Sequence, residues 1–140
     1  MAITQTLCTS FKVEVLNGVH NFSANTFKLA LYTDSATIGA DTLIYTTNNE
    51  VVGAGYTAGG NTLTVSVTPV SSGTTAYVSF DNTSWASSTI TARGALIYNS
   101  SQSNKAVAVL DFGADKTTSN SVFTITFPAA SATSAIVRIS

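Results

Sequence analysis

Charge is what this chain has least of. Asp, Glu, Lys and Arg make up 9% of its 140 residues, against about 25% in ordinary globular proteins. The basic residues stand singly, at Lys12, Lys28, Arg93, Lys105, Lys116 and Arg138. Nucleic-acid phosphates are bound by cations clustered on one face, so this scatter argues against a nucleic-acid partner. Long apolar runs are also lacking. Nothing approaches the roughly 18 residues that read as a membrane-spanning helix, and the opening MAITQTL has no basic region leading into a long apolar one. Neither a membrane partner nor a secretory signal is expected. Cysteine occurs once, as Cys8, which excludes an intrachain disulfide and suits synthesis in a reducing compartment.

Hydroxyls supply the polarity instead. There are 23 Thr and 18 Ser, more than a quarter of the chain. With Val, Ile, Tyr and Phe, threonine favours pleated, half-buried surfaces, so a sheet-rich fold follows. The length suits one domain with a real core. A net charge of −1 leaves little self-repulsion, which suits either a chain that works inside an assembly or a neutral, Thr-rich exterior that stays soluble by itself.

The periodicity fills in this outline. Residues 1–9 read as an extended arm, and residues 10–140 as a single domain. Ser10 is placed to cap one short helix running to about Leu16, with Phe11, Val15 and Val19 at four-residue spacing and Asn17-Gly18 as the stop. Residues 27–33, FKLALYT, alternate as a strand. Residues 43–47 are expected as a short edge strand. In residues 50–60, EVVGAGYTAGG, four glycines point to unusual backbone conformations or close approach. Strands follow at 61–70, closed by Pro69, and at 74–80, with a turn at Ser71-Ser72-Gly73. Residues 81–88, with Trp85, read as a loop.

The clearest signal is the pair of alternating runs at 89–98 and 105–112, joined by the polar tip NSSQSN. It predicts a β-hairpin with a long loop. After a polar connection at 113–120 come strands at 122–127 and 135–139. Seven or eight short strands at regular spacing are the pattern of a sandwich, jelly roll or barrel.

Candidate chemistry is sparse. A hydrolytic triad would have to use His20 as its base, yet a lone histidine at a helix exit reads first as a packing or capping residue. Asp34 with Asp41, and Asp111 with Asp115, flank loops. Paired carboxylates perform glycoside hydrolysis, but Asp at loop ends is ordinary turn chemistry. One His and one Cys give no ligand cluster, so neither metal nor cofactor is expected. Loop calcium is left open, without EF-hand spacing to support it. The glycines at 53, 55, 59 and 60 lack the Lys and helix of a phosphate loop. Trp85 reads either as half-buried core or as a sugar-stacking platform.

Several segments together resemble a known group. They are LNGVHNF at 16–22, FKLALYT at 27–33, EVVGAGYTAGG at 50–60, Trp85, ITARGALIY at 90–98 and VAVLDFG at 107–113. In this the chain resembles small structural proteins encoded beside the major capsid protein of tailed bacteriophages. The resemblance implies a capsid decoration, or cement, protein of jelly-roll type that clamps capsomer junctions and has no catalytic motif.

The expectation is therefore an all-β chain forming one antiparallel β-sandwich, of jelly-roll type, with one short helix. It would be a non-enzymatic virion protein on the capsid surface, made in the host cytoplasm. Its partners would be the major capsid protein and itself, as homodimer or homotrimer. Ala2, Ile3 and Leu7 of the arm, with Phe11, Val15 and Val19, are the expected interface residues. The alternative is a tail-fibre, spike or carbohydrate-binding module that recognises the host surface through Trp85, tyrosines and polar loops. A virion-associated glycosidase is a third possibility, resting on His20 and the scattered Asp.

Overall fold

The structure, a computed structural model, describes residues 2–140; Met1, part of the expected arm, lies outside them. Its strands are β1 (Thr6–Leu7), β2 (Phe27–Tyr32), β3 (Asn61–Thr62), β4 (Val65–Ser72), β5 (Thr75–Phe80), β6 (Thr83–Ser88), β7 (Thr91–Asn99), β8 (Lys105–Thr117), β9 (Ser121–Ile125) and β10 (Val137–Ile139). One helix, α1 (Thr9–Leu16), follows β1, and a 3-10 turn (Ser100–Gln102) tips the β7–β8 hairpin. The fold is all-β, and every named strand pair is antiparallel. The sheets run β1-β8-β7-β2-β3, β10-β5-β4 and β6-β9. Side chains from all three sheets enter one core cluster, as in a sandwich. The strands divide five, three and two among these sheets.

The central sheet is covered on both sides. Phe27, Leu29 and Leu31 of β2 share one face, where Phe27 meets Phe22 and Phe80. Lys28, Ala30 and Tyr32 share the other, beside Leu96 and Tyr98 of β7. A strand open to water would leave one set exposed; here β2 is buried except for partly buried Lys28. The reason is the long segment between β2 and β3, which folds back over the second face. Tyr45 stacks on Tyr98 at 4.6 Å, and Tyr32 donates its phenol to the Thr46 carbonyl.

Several expectations need correction. The helix begins at Thr9, its N-cap position is Cys8, two residues before the expected Ser10, and no side chain caps it. Tertiary bonds set this start: Cys8 N–H donates to Val107 O (2.9 Å) and Thr9 N–H to Ala40 O (2.8 Å). Residues 43–47 form no strand and make only the bridge Ile44–Lys105. The strand at 61–70 splits, and Pro69 lies inside β4, where the register shift between Val67 and Val70 accommodates it. Residues 83–88 of the expected loop are strand β6, and the connection at 113–120 is largely the end of β8. In both, Ser, Thr and Asp resemble loop composition, while cross-strand pairing overrides their weak propensity.

The arm is tied into its own domain. Thr4 N–H donates to Ile38 O (3.0 Å), Ile38 N–H to Ala2 O (3.1 Å), and β1 pairs with Val109 and Ala108. Ile3 lies over Gly94, where an added Cβ would come within 2.8 Å of its Cγ2.

Glycine is required where the covering segment meets β2. Gly60 has φ +75°, and a Cβ there would lie 1.7 Å from the Leu29 carbonyl oxygen. Gly73, in the β4–β5 turn, has φ +61° with nothing near its missing Cβ. Gly60→Ala is expected to cost about 4 kcal/mol or more, since backbone must move. Gly73→Ala should cost about 1–2 kcal/mol, the left-handed penalty alone. Urea denaturation of both variants checks this; equal losses would contradict the close approach at Gly60.

Candidate functional site

The most concentrated polar chemistry surrounds Glu50, which the sequence reading did not single out. Its residue is 6% exposed. One carboxylate oxygen, Oε1, accepts from the Tyr56 phenol (2.7 Å) and the Gly59 backbone N–H (2.7 Å). The other, Oε2, accepts from the Tyr45 phenol (2.7 Å). Tyr56 also accepts from Leu31 N–H (2.9 Å), and Tyr98 donates to Gly59 O (2.7 Å). Glu50 thus gathers three points of the covering segment onto one acidic side chain, and Tyr56, Tyr98 and Tyr32 fasten that segment to the sheet. A buried carboxylate is tolerated only when so satisfied. The sequence signal was available: a single Glu between Tyr45 and Tyr56 in a glycine-rich stretch.

These tyrosines are held protonated. Burial, followed by the hydrogen bond to Glu50, pushes the Tyr45 and Tyr56 phenols far above their ordinary value of 10.0. Burial pushes Tyr32 up despite the opposing bond to Thr46. Burial and the Glu50 charge push Tyr98 up to about 12.

His20 forms a second network at the helix exit. Its Nε2 lies 2.9 Å from Glu14 Oε1, and its Nδ1 lies 3.0 Å from Asn99 Nδ2. Asn99 is fully buried, and its Oδ1 accepts from Ser101 N–H (3.0 Å). That bond turns the amide nitrogen toward His20, so Nδ1 accepts and Nε2–H donates to Glu14. Lys105 reaches the other Glu14 oxygen at 3.5 Å. The imidazole also packs on Phe11, with centroids 4.9 Å apart. Both ring nitrogens are thereby engaged in joining helix to hairpin, and no hydroxyl or thiol side chain hydrogen-bonds them among the described residues.

The remaining candidates lie apart. Asp115 pairs with Arg93 (3.0 Å), and Asp111 Oδ1 accepts from Gly113 N–H (2.9 Å), a turn contact. Asp34 and Asp41 are exposed. Among the described residues, no group of three or more His, Cys, Asp or Glu is placed to hold a metal. Trp85 is buried in β6, with Tyr56 at 5.7 Å and Phe123 edge-on at 6.1 Å, so it presents no stacking platform. Cys8 is buried; desolvation, then Asp41 and Glu14, push its thiol up to about 11, which opposes nucleophilic use.

Of the residues expected at an interface, Phe11 belongs to the chain's own core. Ile3, Leu7 and Val15 pack against that core from partly buried positions, Val19 is half-buried, and Ala2 is exposed. The helix instead presents Val13 (55% exposed) and Leu16 (88%) to solvent, and the neighbouring segment presents Leu43 (63%) and Ile44 (55%). Ser10 Oγ–Thr42 O (3.5 Å) brings the two segments together, and both contact Lys105.

Comparison with known protein families, with curated proteins and with solved structures returns no match.

Glu50→Ala leaves two phenols and one N–H without their acceptor, at about 1–3 kcal/mol for each buried group left unpaired. A loss of about 3 kcal/mol or more is expected. Glu50→Gln keeps the volume and one acceptor oxygen, and should lose less than half as much in thermal melts. Similar losses for both would show that the hydrogen bonds contribute little.

The raised phenols also set an alkaline limit. Their folded values lie above the unfolded 10.0, with Tyr98 at about 12. The stability they contribute is fully present below pH 10 and falls as pH rises towards and through the folded values. Most tyrosinate absorbance should therefore appear together with unfolding, above pH 10. Gradual ionisation of all five phenols near pH 10, with native circular dichroism retained, would contradict the network.

Proposed function

We propose that this protein is a bacteriophage capsid decoration protein that binds the outside of the head and bridges neighbouring capsid subunits. The observation that carries the reading is the exposed aliphatic surface of Val13, Leu16, Leu43 and Ile44 on a chain with 9% charged residues. Aliphatic residues gathered at a surface mark contact sites. The six segments resembling phage structural proteins support the same reading, as do Glu50 and His20, both engaged in internal bracing.

The mechanism is mechanical. A rigid β domain places apolar side chains against the major capsid protein, and many modest contacts add through multivalency. Each copy would be made in the host cytoplasm and act on the virion surface. Host-surface recognition has less support, because Trp85 is buried.

Quantitative mass spectrometry of purified particles should find hundreds of copies per virion; a handful would reject decoration. Burial of a leucine is worth roughly 1.5–3 kcal/mol. Leu16→Asp and Leu43→Asp should therefore each weaken capsid binding about tenfold or more without unfolding the domain. Unchanged affinity in both would move the contact elsewhere.

A further inference from the structure

Among the described residues, strand β9 has one neighbour, β6. Its opposite edge opens onto a groove of about 520 Å³. Residues 122–128 line that groove in unbroken succession, facing a wall that includes Leu110, Phe112 and Lys116. Side chains of a strand alternate between faces, so a groove touching every residue runs along the backbone edge.

The direction of the backbone groups follows from Ser121, the first residue of β9, and from Phe127, two residues beyond its end. Ser121 O accepts from Ser88 Oγ (2.9 Å), and Phe127 N–H donates to Asn82 Oδ1 (2.9 Å). Both partners lie on the β6 side. Alternate residues of a strand point their peptide groups to opposite edges. Val122, Thr124 and Thr126 therefore direct N–H and C=O into the groove, where they have no hydrogen-bond partner among the described residues. Such an edge is a template for another strand.

The other edges are protected. β1 and β3 are two residues long, β4 contains Pro69 and two irregularities, and β10 carries Arg138. The outer side of β6 is met by Asn61, whose amide donates to Ser84 O (2.9 Å). β9 has none of these devices. No charged residue occurs between Lys116 and Arg138, and its irregularity lies on β6, where three residues oppose two.

We infer that β9 pairs with β9 of a second copy, antiparallel about a two-fold axis. A two-fold sets a strand against itself, so any charge on β9 would meet its own copy; none is present. Centred on Thr124, the pairing sets Thr124 opposite Thr124 and Val122 opposite Thr126 on the outer face. On the inner face it sets Phe123 opposite Ile125. The pairing is closed, which favours a dimer over a trimer. It rests on the edge strand and not on the decoration reading, so copy number in the virion does not bear on it.

The test is sedimentation velocity and native mass spectrometry of the full chain. Wild type should show a concentration-dependent monomer–dimer equilibrium. Thr124→Lys and Thr124→Glu, at an exposed side chain, should each weaken dimerisation about a hundredfold by like-charge contact across the axis. An equimolar mixture of the two should restore dimers of mixed mass. Thr68→Lys, on exposed β4, should leave the equilibrium unchanged, and thermal melts should show all variants folded. The inference is overturned if wild type stays monomeric up to about 1 mM, far above ordinary affinities, or if it forms trimers or open-ended aggregates. It is also overturned if the single-charge variants dimerise as tightly as wild type, or if their mixture dimerises no better than either alone.

Discussion

A carboxylate inside the covering segment holds that segment in shape over the second face of the sheet. Glu50 lies within the segment joining β2 to β3 and there receives two phenols and a backbone N–H of the same segment. Without it, the face bearing Ala30, Tyr32 and Leu96 would have only irregular chain above it. Irregular chain has no ladder to satisfy its backbone, and burial makes unpaired groups costly. Glu50 supplies the acceptor that a neighbouring strand would otherwise provide. Tyr56 extends this substitution. Its hydroxyl accepts from Leu31 N–H at the edge of β2 while donating to Glu50, so a side chain takes the position of a paired backbone.

The same economy explains a low-charge chain that still contains buried polar groups. Thr and Ser donate and accept without the desolvation cost of an ion. Charged and imidazole groups appear where several bonds must converge. Glu14 joins His20 to Lys105, and His20 joins Glu14 to Asn99, connecting α1 with both strands of the β7–β8 hairpin. No buried side-chain nitrogen or oxygen lacks a partner among the described residues. Complete satisfaction makes such networks rigid rather than responsive.

Legibility in the sequence followed sequence distance. The β7–β8 hairpin was readable because alternation and a polar tip are local signals, and β2 because FKLALYT alternates without interruption. Strand β6 was not readable. TSWASS has the composition of a loop, and its pairing with β9 spans the distance from Trp85 to Phe123. The arm was legible as extended but not as docked, since its partners Ile38 and Val109 are remote. For the site, His20 and the Asp pairs drew attention as catalytic residue types, whereas Glu50 stood alone. Its importance comes from Tyr45, Tyr56 and Gly59 converging on it, and convergence is a property of the folded chain. The glycines were half legible: close approach was evident, but not that Gly60 meets the Leu29 carbonyl.

Rigidity connects this architecture with the proposed bridging role. A decoration protein holds neighbouring subunits only if its contact surfaces keep their separation under load. Flexible contacts lose, in ordering entropy, much of what they gain in area. Val13 and Leu16 stand on a helix held by Cys8 N–H to β8 and by the Glu14–His20–Asn99 network. Leu43 and Ile44 stand on a segment fixed to β8 by the bonds Ala106 N–H to Leu43 O (3.0 Å) and Tyr45 N–H to Asn104 O (2.9 Å). Both elements are thus referenced to one strand, β8, which lies between β1 and β7. Internal bracing and external contact become consecutive parts of one mechanical path: polar groups consumed inside fix the positions of the apolar groups presented outside.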